Sequence, residues 1–171
     1  MWGRAGLGLG LAGALACGAD NSLGGSVSEL FPLEVSQVQI LRNGDAFQVS
    51  YYRNNGADVD LVARLSVGLA GTSFIPGKSV SLAGEYEPGH QRATVLHLAS
   101  GEPVRTFPDV KQGDIKLTGG GKIGEETSGT FSLSFVQSGD YGGGRSIHGN
   151  FFGKAADAGY GPDGDQPPFP K

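Results

Sequence analysis

Apolar and polar side chains alternate along residues 59–67: Val59, Leu61, Ala63, Leu65 and Val67 occupy one set of positions, and Asp60, Val62, Arg64 and Ser66 the other. A β-strand produces this period of two by pointing successive side chains to opposite faces, so a half-buried strand is predicted with its second set toward water. Upstream, Val38 and Ile40 flank Gln39, and Phe47 and Val49 flank Gln48, on either side of Asn43-Gly44. Both turn residues tolerate positive φ, which predicts a two-residue type I′ hairpin setting Val38 against Val49 and Ile40 against Phe47. After Pro76-Gly77, Val80 and Leu82 alternate with Ser79 and Ser81. Thr94, Leu96 and Leu98 share a face, leaving Val95 and His97 on the other, and Ile115 and Leu117 make a short strand. Phe131, Leu133 and Phe135, then Ile147, Gly149 and Phe151, alternate with polar residues across a Gly-rich loop. That hairpin is expected to pair Phe131 with Phe151, Leu133 with Gly149 and Phe135 with Ile147. No stretch sustains a 3.6-residue period, so the expected fold is all-β, an antiparallel β-sandwich or barrel of about eight short strands.

Composition agrees with short strands and many turns: of 171 residues 31 are Gly and 9 Pro, while only 18% are charged. The formal net charge of −4 supplies no basic face to neutralise phosphates, so nucleic acid is not an expected partner. Cysteine occurs once, at Cys17, which rules out an internal disulfide.

The N-terminal residues carry one positive charge at Arg4, followed by an uncharged Leu, Ala and Gly stretch over residues 5–16. This is the pattern of a secretory signal, too short and Gly-rich to remain as a membrane span. It ends in Ala14-Leu15-Ala16-Cys17, which resembles the lipobox of bacterial lipoproteins. That resemblance implies cleavage before Cys17 and a thioether-linked diacylglycerol on its sulfur. The usual Leu three places before the cysteine is replaced by Ala14, with Leu15 one place later. Ala14 and Ala16 also satisfy an ordinary secretory cleavage site, so a soluble periplasmic or secreted product is the alternative. Gly18 stands where Asp would mark retention at the inner membrane, and the resemblance therefore points to a lipid anchor in the outer membrane. The expected organisation is a signal peptide over 1–16, a lipid-anchored tether over 17–29, the β-domain over 30–154 and a disordered tail over 155–171. Gly25-Ser26-Val27-Ser28-Glu29-Leu30, Gly129-Thr130-Phe131-Ser132-Leu133 and Gly149-Asn150-Phe151 resemble segments of uncharacterised lipoproteins from myxobacterial-type Gram-negative bacteria. No activity comes with that family.

Candidate chemistry is sparse. His90, His97 and His148 lack the spacing of a local zinc motif, and His97 and His148 are expected on solvent faces of a sheet. Asp157, Asp163 and Asp165 read as solvating carboxylates. Gly119-Gly120-Gly121-Lys122 reads as a hairpin loop, since Lys116 and Ile123 stand where a phosphate loop needs Gly and Ser or Thr. Ser146 lacks the spacing of a nucleophile elbow, and adjacent Glu125 and Glu126 would point to opposite faces of a strand. Tyr51, Tyr52, Tyr86 and Phe152 are weighed as an aromatic patch against core packing. No catalytic constellation, metal site or cofactor is expected. The reading is a non-catalytic cell-envelope lipoprotein: Cys17 is its lipid attachment, the membrane its partner through that anchor, and an envelope protein or small ligand its second partner. A carrier of a lipid or small hydrophobic ligand is the alternative, and a hydrolase a distant third.

Overall fold

The alternation is realised as twelve strands among residues 21–157, the part of the chain that the computed structural model describes. Strand β1 (Ser22–Gly24) precedes a 3-10 turn at Ser26–Glu29, and β2 (Gln37–Arg42), β3 (Ala46–Asn55) and β4 (Asp58–Gly68) form a meander. Next come the short β5 (Ser79–Ser81), β6 (Glu85–Glu87) and β7 (His90–Gln91), then β8 (Ala93–Leu98) and β9 (Arg105–Thr106). The chain closes with β10 (Val110–Gly119), β11 (Glu126–Phe135) and β12 (Ser146–Asp157). One curled sheet runs β5-β10-β11-β12-β2-β3-β4-β8-β9, with β1 also on β12 and β6-β7 a separate ribbon. The contacts within it are antiparallel except β12 with β2, so the sheet is mixed rather than purely antiparallel.

The curl turns two sets of inward side chains toward each other. Phe47, Val49, Tyr51, Leu65, Val67 and Val95 come from the β2-β3-β4-β8 half, and Phe131, Leu133, Ile147 and Phe151 from the β10-β11-β12 half. Rings meet across the gap: Phe47 with Phe151 at 5.6 Å and Tyr51 with Phe131 at 6.1 Å between centroids. Each such buried side chain contributes about 1.5–3 kcal/mol relative to leaving it exposed. Arg42, at the end of β2, closes one end by donating to the Phe74 and Gly121 carbonyls while lying 5.5 Å over the Phe74 ring.

Both expected hairpins form, and both registers are displaced by two residues. In the first, Val38 faces Tyr51, Ile40 faces Val49 and Arg42 faces Phe47. The Asn43 side chain is responsible: its Oδ1 accepts the Asp45 and Ala46 N–H groups at 2.9 and 2.8 Å, while its own backbone N–H donates to the Ala46 carbonyl. The loop is thereby lengthened, and neither Asn43 nor Gly44 has positive φ, so the turn is not type I′. In the second, Phe131 faces Gly149 and Phe151 faces Gly129 instead of facing each other. Space decides this: a Cβ on Gly129 would lie 2.5 Å from both the Phe151 ring and the Lys116 carbonyl, and one on Gly149 would lie 3.0 Å from the Phe131 ring. A shift of two leaves every residue on its expected face.

Four other expectations are corrected. Strand β4 is buried on both faces from Asp60 to Gly68, because it lies between β3 and β8 and its polar face closes over Gln48 and Ser50 of β3. Strand β10 extends over ten residues where only Ile115 and Leu117 were expected to form strand. Irregular pairing next to Gly113, which has no side chain, puts Val110 inward with Ile115 and Leu117 despite the change of parity and hides the run from a period-of-two search. Residues 22–29, expected to be tether, are part of the domain: β1 pairs with β12, Val27 is fully buried, and Asn21 Oδ1 accepts the Phe152 N–H. Strand β12 likewise runs past 154, with Ala155 buried opposite Ile40. Residues 1–20, including Cys17 and the signal peptide, and 158–171, including Asp163 and Asp165, lie outside the described residues.

Gly129→Ala is expected to cost about 2 kcal/mol, since its Cβ meets backbone as well as a ring. Gly44→Ala, with nothing within 4 Å of the added Cβ and no positive φ, is expected to stay within about 0.5 kcal/mol of wild type. Urea denaturation of the two variants checks both values.

Candidate functional site

Strand β8 alternates Ala93, Val95 and His97 inward, with Thr94 exposed and Leu96 and Leu98 half-buried on the outer face. His97 therefore follows Val95 into the interior, where only 5% of it remains exposed, in contrast to the solvent position expected of it. The two leucines conceal this phase in the sequence, because they make the outer face look the more apolar one. The Phe31 ring stacks on the imidazole, with centroids 3.9 Å apart and planes 13° from parallel. His97 Nδ1 lies 2.9 Å from the Val62 carbonyl. A carbonyl can only accept, so Nδ1 carries a proton; in the neutral ring Nε2 is then the acceptor, and it has no hydrogen-bond partner among the described residues.

This histidine lines a cleft of about 260 Å³. Arg105 faces His97 directly across the β8-β9 pairing, which puts the two side chains on one face. Its guanidinium lies 5.6 Å over the ring of Tyr141, which arrives from the loop between β11 and β12. Glu102, from the β8-β9 loop, and Leu30 and Pro32, which follow the 3-10 turn, complete the rim. Burial pushes the Tyr141 phenol above its usual range; Arg105 opposes that shift and Glu102 adds to it.

Beneath the rim lies Arg53, which also lines the cleft and is held in place by carboxylates on either side: Asp60 at 2.5 Å and Glu34 at 3.6 Å. Asp60 is fully buried and satisfied by Arg53, by Asn55 Nδ2 at 3.2 Å and by the Ser100 N–H at 2.8 Å. Burial opposes its ionisation, yet those donors together outweigh burial and hold the carboxyl below its usual range. The Ser100 bond also ties the β8-β9 loop to β4, which steadies the side of the cleft that carries Glu102.

The remaining candidates scatter. His148 is exposed on the outer face opposite Ser132, and His90 is exposed beside Tyr86, so the three histidines do not converge. Tyr51 and Tyr52 are buried, Tyr51 donating to the Asn150 carbonyl, while Tyr86 covers Gly68; they form no patch with the exposed Phe152. Gly119 ends β10, and Gly120, Gly121 and Lys122 lie in the β10-β11 hairpin loop, with Gly121 N–H donating to Thr127 Oγ1. Ser146 hydrogen bonds Ser26. A larger depression of about 420 Å³, lined by Gln112, Asp114, Ser132, Ser134 and Ser146, is a shallow dent on the outer face of β10-β11-β12. Among the described residues no three His, Cys, Asp or Glu side chains are grouped to hold a metal ion. No protein family, curated protein or solved structure matches the chain.

The buried Asp60 gives a pH signature. Its carboxyl is lower in the folded state, so its stabilising contribution is complete above the unfolded value of about 4 and is lost as pH falls through the lower folded value. Asp60→Asn is expected to cost about 2 kcal/mol at neutral pH, with the difference from wild type shrinking steadily below about pH 4. Denaturant midpoints measured across that range check it.

Proposed function

We propose that this chain is a non-catalytic cell-envelope lipoprotein, acylated at Cys17, whose β-domain binds its partner or ligand in the cleft around His97. The observation that carries the binding reading is His97 Nε2, which belongs to a buried histidine, has no hydrogen-bond partner among the described residues, and stands at a cleft that also presents Arg105 and Tyr141. An acceptor held at a fixed position on the cleft wall gives a ligand donor a preorganised partner. The cleft favours binding over hydrolysis, since among the described residues no serine, threonine or cysteine lines it beside the imidazole. A carrier of a lipid between the two halves of the sheet is disfavoured by the rings that fill that space, such as Phe107 on Phe135 at 4.7 Å.

The anchor reading rests on the single cysteine at the end of the only long uncharged apolar stretch. The placement of Asn21 adds a consequence: it is already bonded to β12, so at most about 14 Å of extended chain separates Cys17 from a residue held by the domain. Several acyl chains, at about 0.8 kcal/mol per buried CH₂, would hold the domain close against the membrane, with the outer membrane favoured by Gly18.

Wild-type protein is expected to incorporate labelled palmitate and to sediment with membranes, and Cys17→Ser to do neither in any processed form. A soluble, unlabelled wild-type product beginning at Cys17 would instead establish ordinary secretory cleavage after Ala16.

A further inference from the structure

We propose that the His97 cleft binds a small zwitterion, an α-amino acid with an apolar side chain, through carboxylate on Arg105 and ammonium on His97 Nε2 and Glu102. The inference rests on the reading of this cleft as a binding site and names the chemistry it selects. Arg105 carries no ion pair among the described residues, and its planar fork of donors matches a carboxylate. The cross-strand pairing of Arg105 with His97 puts the guanidinium and the imidazole on one face, and both line the cleft. His97 is held by two independent contacts, the Val62 carbonyl on Nδ1 and the Phe31 ring on its face, so Nε2 is preorganised to accept an N–H.

Charge distinguishes this ligand from a simple anion. Arg53 is already matched by Asp60 and Glu34, which leaves one cation, Arg105, and one anion, Glu102, on the rim. A lone carboxylate or phosphate would meet Glu102 as a like charge, and a lone amine would meet Arg105, whereas a zwitterion satisfies both. The ring of Tyr141 and the exposed side chain of Leu30 provide an apolar surface for the ligand's own side chain. A volume of about 260 Å³ falls just below the roughly 300 Å³ at which sites for drug-sized ligands begin, and so fits a ligand of amino-acid size.

The test is calorimetric titration of the full chain with L-phenylalanine and with its two truncated analogues, 3-phenylpropanoate and phenethylamine. L-phenylalanine is expected to bind with Kd below about 1 mM, and each analogue at least about tenfold more weakly. Arg105→Gln and His97→Asn are each expected to weaken binding of L-phenylalanine about tenfold. The amide introduced by His97→Asn retains an N–H for the Val62 carbonyl while removing the ring acceptor, and thermal melts verify that this variant folds. Arg105, exposed on a two-residue edge strand, keeps the question open to experiment if the histidine variant does not fold. Equal or tighter binding of either analogue, or insensitivity to Arg105→Gln, would overturn the zwitterion while leaving the cleft a binding site. Silence from all three compounds would overturn the proposal and weaken the binding reading with it, and palmitate labelling reports on the anchor independently of both.

Discussion

The fold depends on one strand belonging to both halves of the sheet. Strand β12 pairs antiparallel with β11 over most of its length, then leaves it to run parallel with β2 at Ala155, Ala156 and Asp157. At the transition the Ala155 N–H donates to the Glu125 carbonyl and its carbonyl accepts from the Gly124 N–H, so the backbone stays paired on both sides as the sheet turns. With twelve residues the strand spans about 40 Å, enough to carry one end of each half. Because the two halves share this strand, curling is what brings their apolar faces together.

The interior that results is crowded, and its glycines are placed where rings need room. Gly129 under Phe151 and Gly149 beside Phe131 let large side chains lie across the strand opposite. On the outer face of β3 and β4 burial has a different solution: Gln48, Ser50, Arg64 and Ser66 shield one another. Ser50 Oγ receives both Gln48 Nε2 and Arg64 Nε at 3.0 Å. Central strands thus become buried on both faces, with the polar side chains of one face hydrogen bonded to one another.

The cleft is where that solution ends. At the last inward position of β8 the packing places an imidazole rather than another aliphatic chain, and the partner strand β9 is only two residues long. The surroundings are rigid: Asp60 joins β4, Arg53 and the β8-β9 loop in one fully satisfied buried group, and Phe31 fixes the ring plane of His97. A buried carboxylate satisfied by three donors from two segments adds to stability and also restricts the geometry of the site it supports.

The period-of-two pattern in the sequence by itself determined the fold class and the parity of the hairpin strands: which of Ile40, Val49, Phe131 and Ile147 share the interior is set by side-chain alternation alone. Alternation is blind to a slip of two, so register was decided by contacts distant from the pattern, the Asn43 side chain in one hairpin and ring-over-glycine space in the other. It is equally blind to which of two mixed faces turns inward, and β8, with Val95 and His97 against Leu96 and Leu98, was settled by the strand β4 beside it. The short β1 left no periodic trace, and the glycine-interrupted β10 left only that of Ile115 and Leu117. The site was illegible for the same reason: His97, Arg105, Tyr141 and Phe31 come from separate strands and loops, and only closure of the curled sheet gives an ordinary histidine a buried face, a fixed tautomer and an acceptor nitrogen in a cleft.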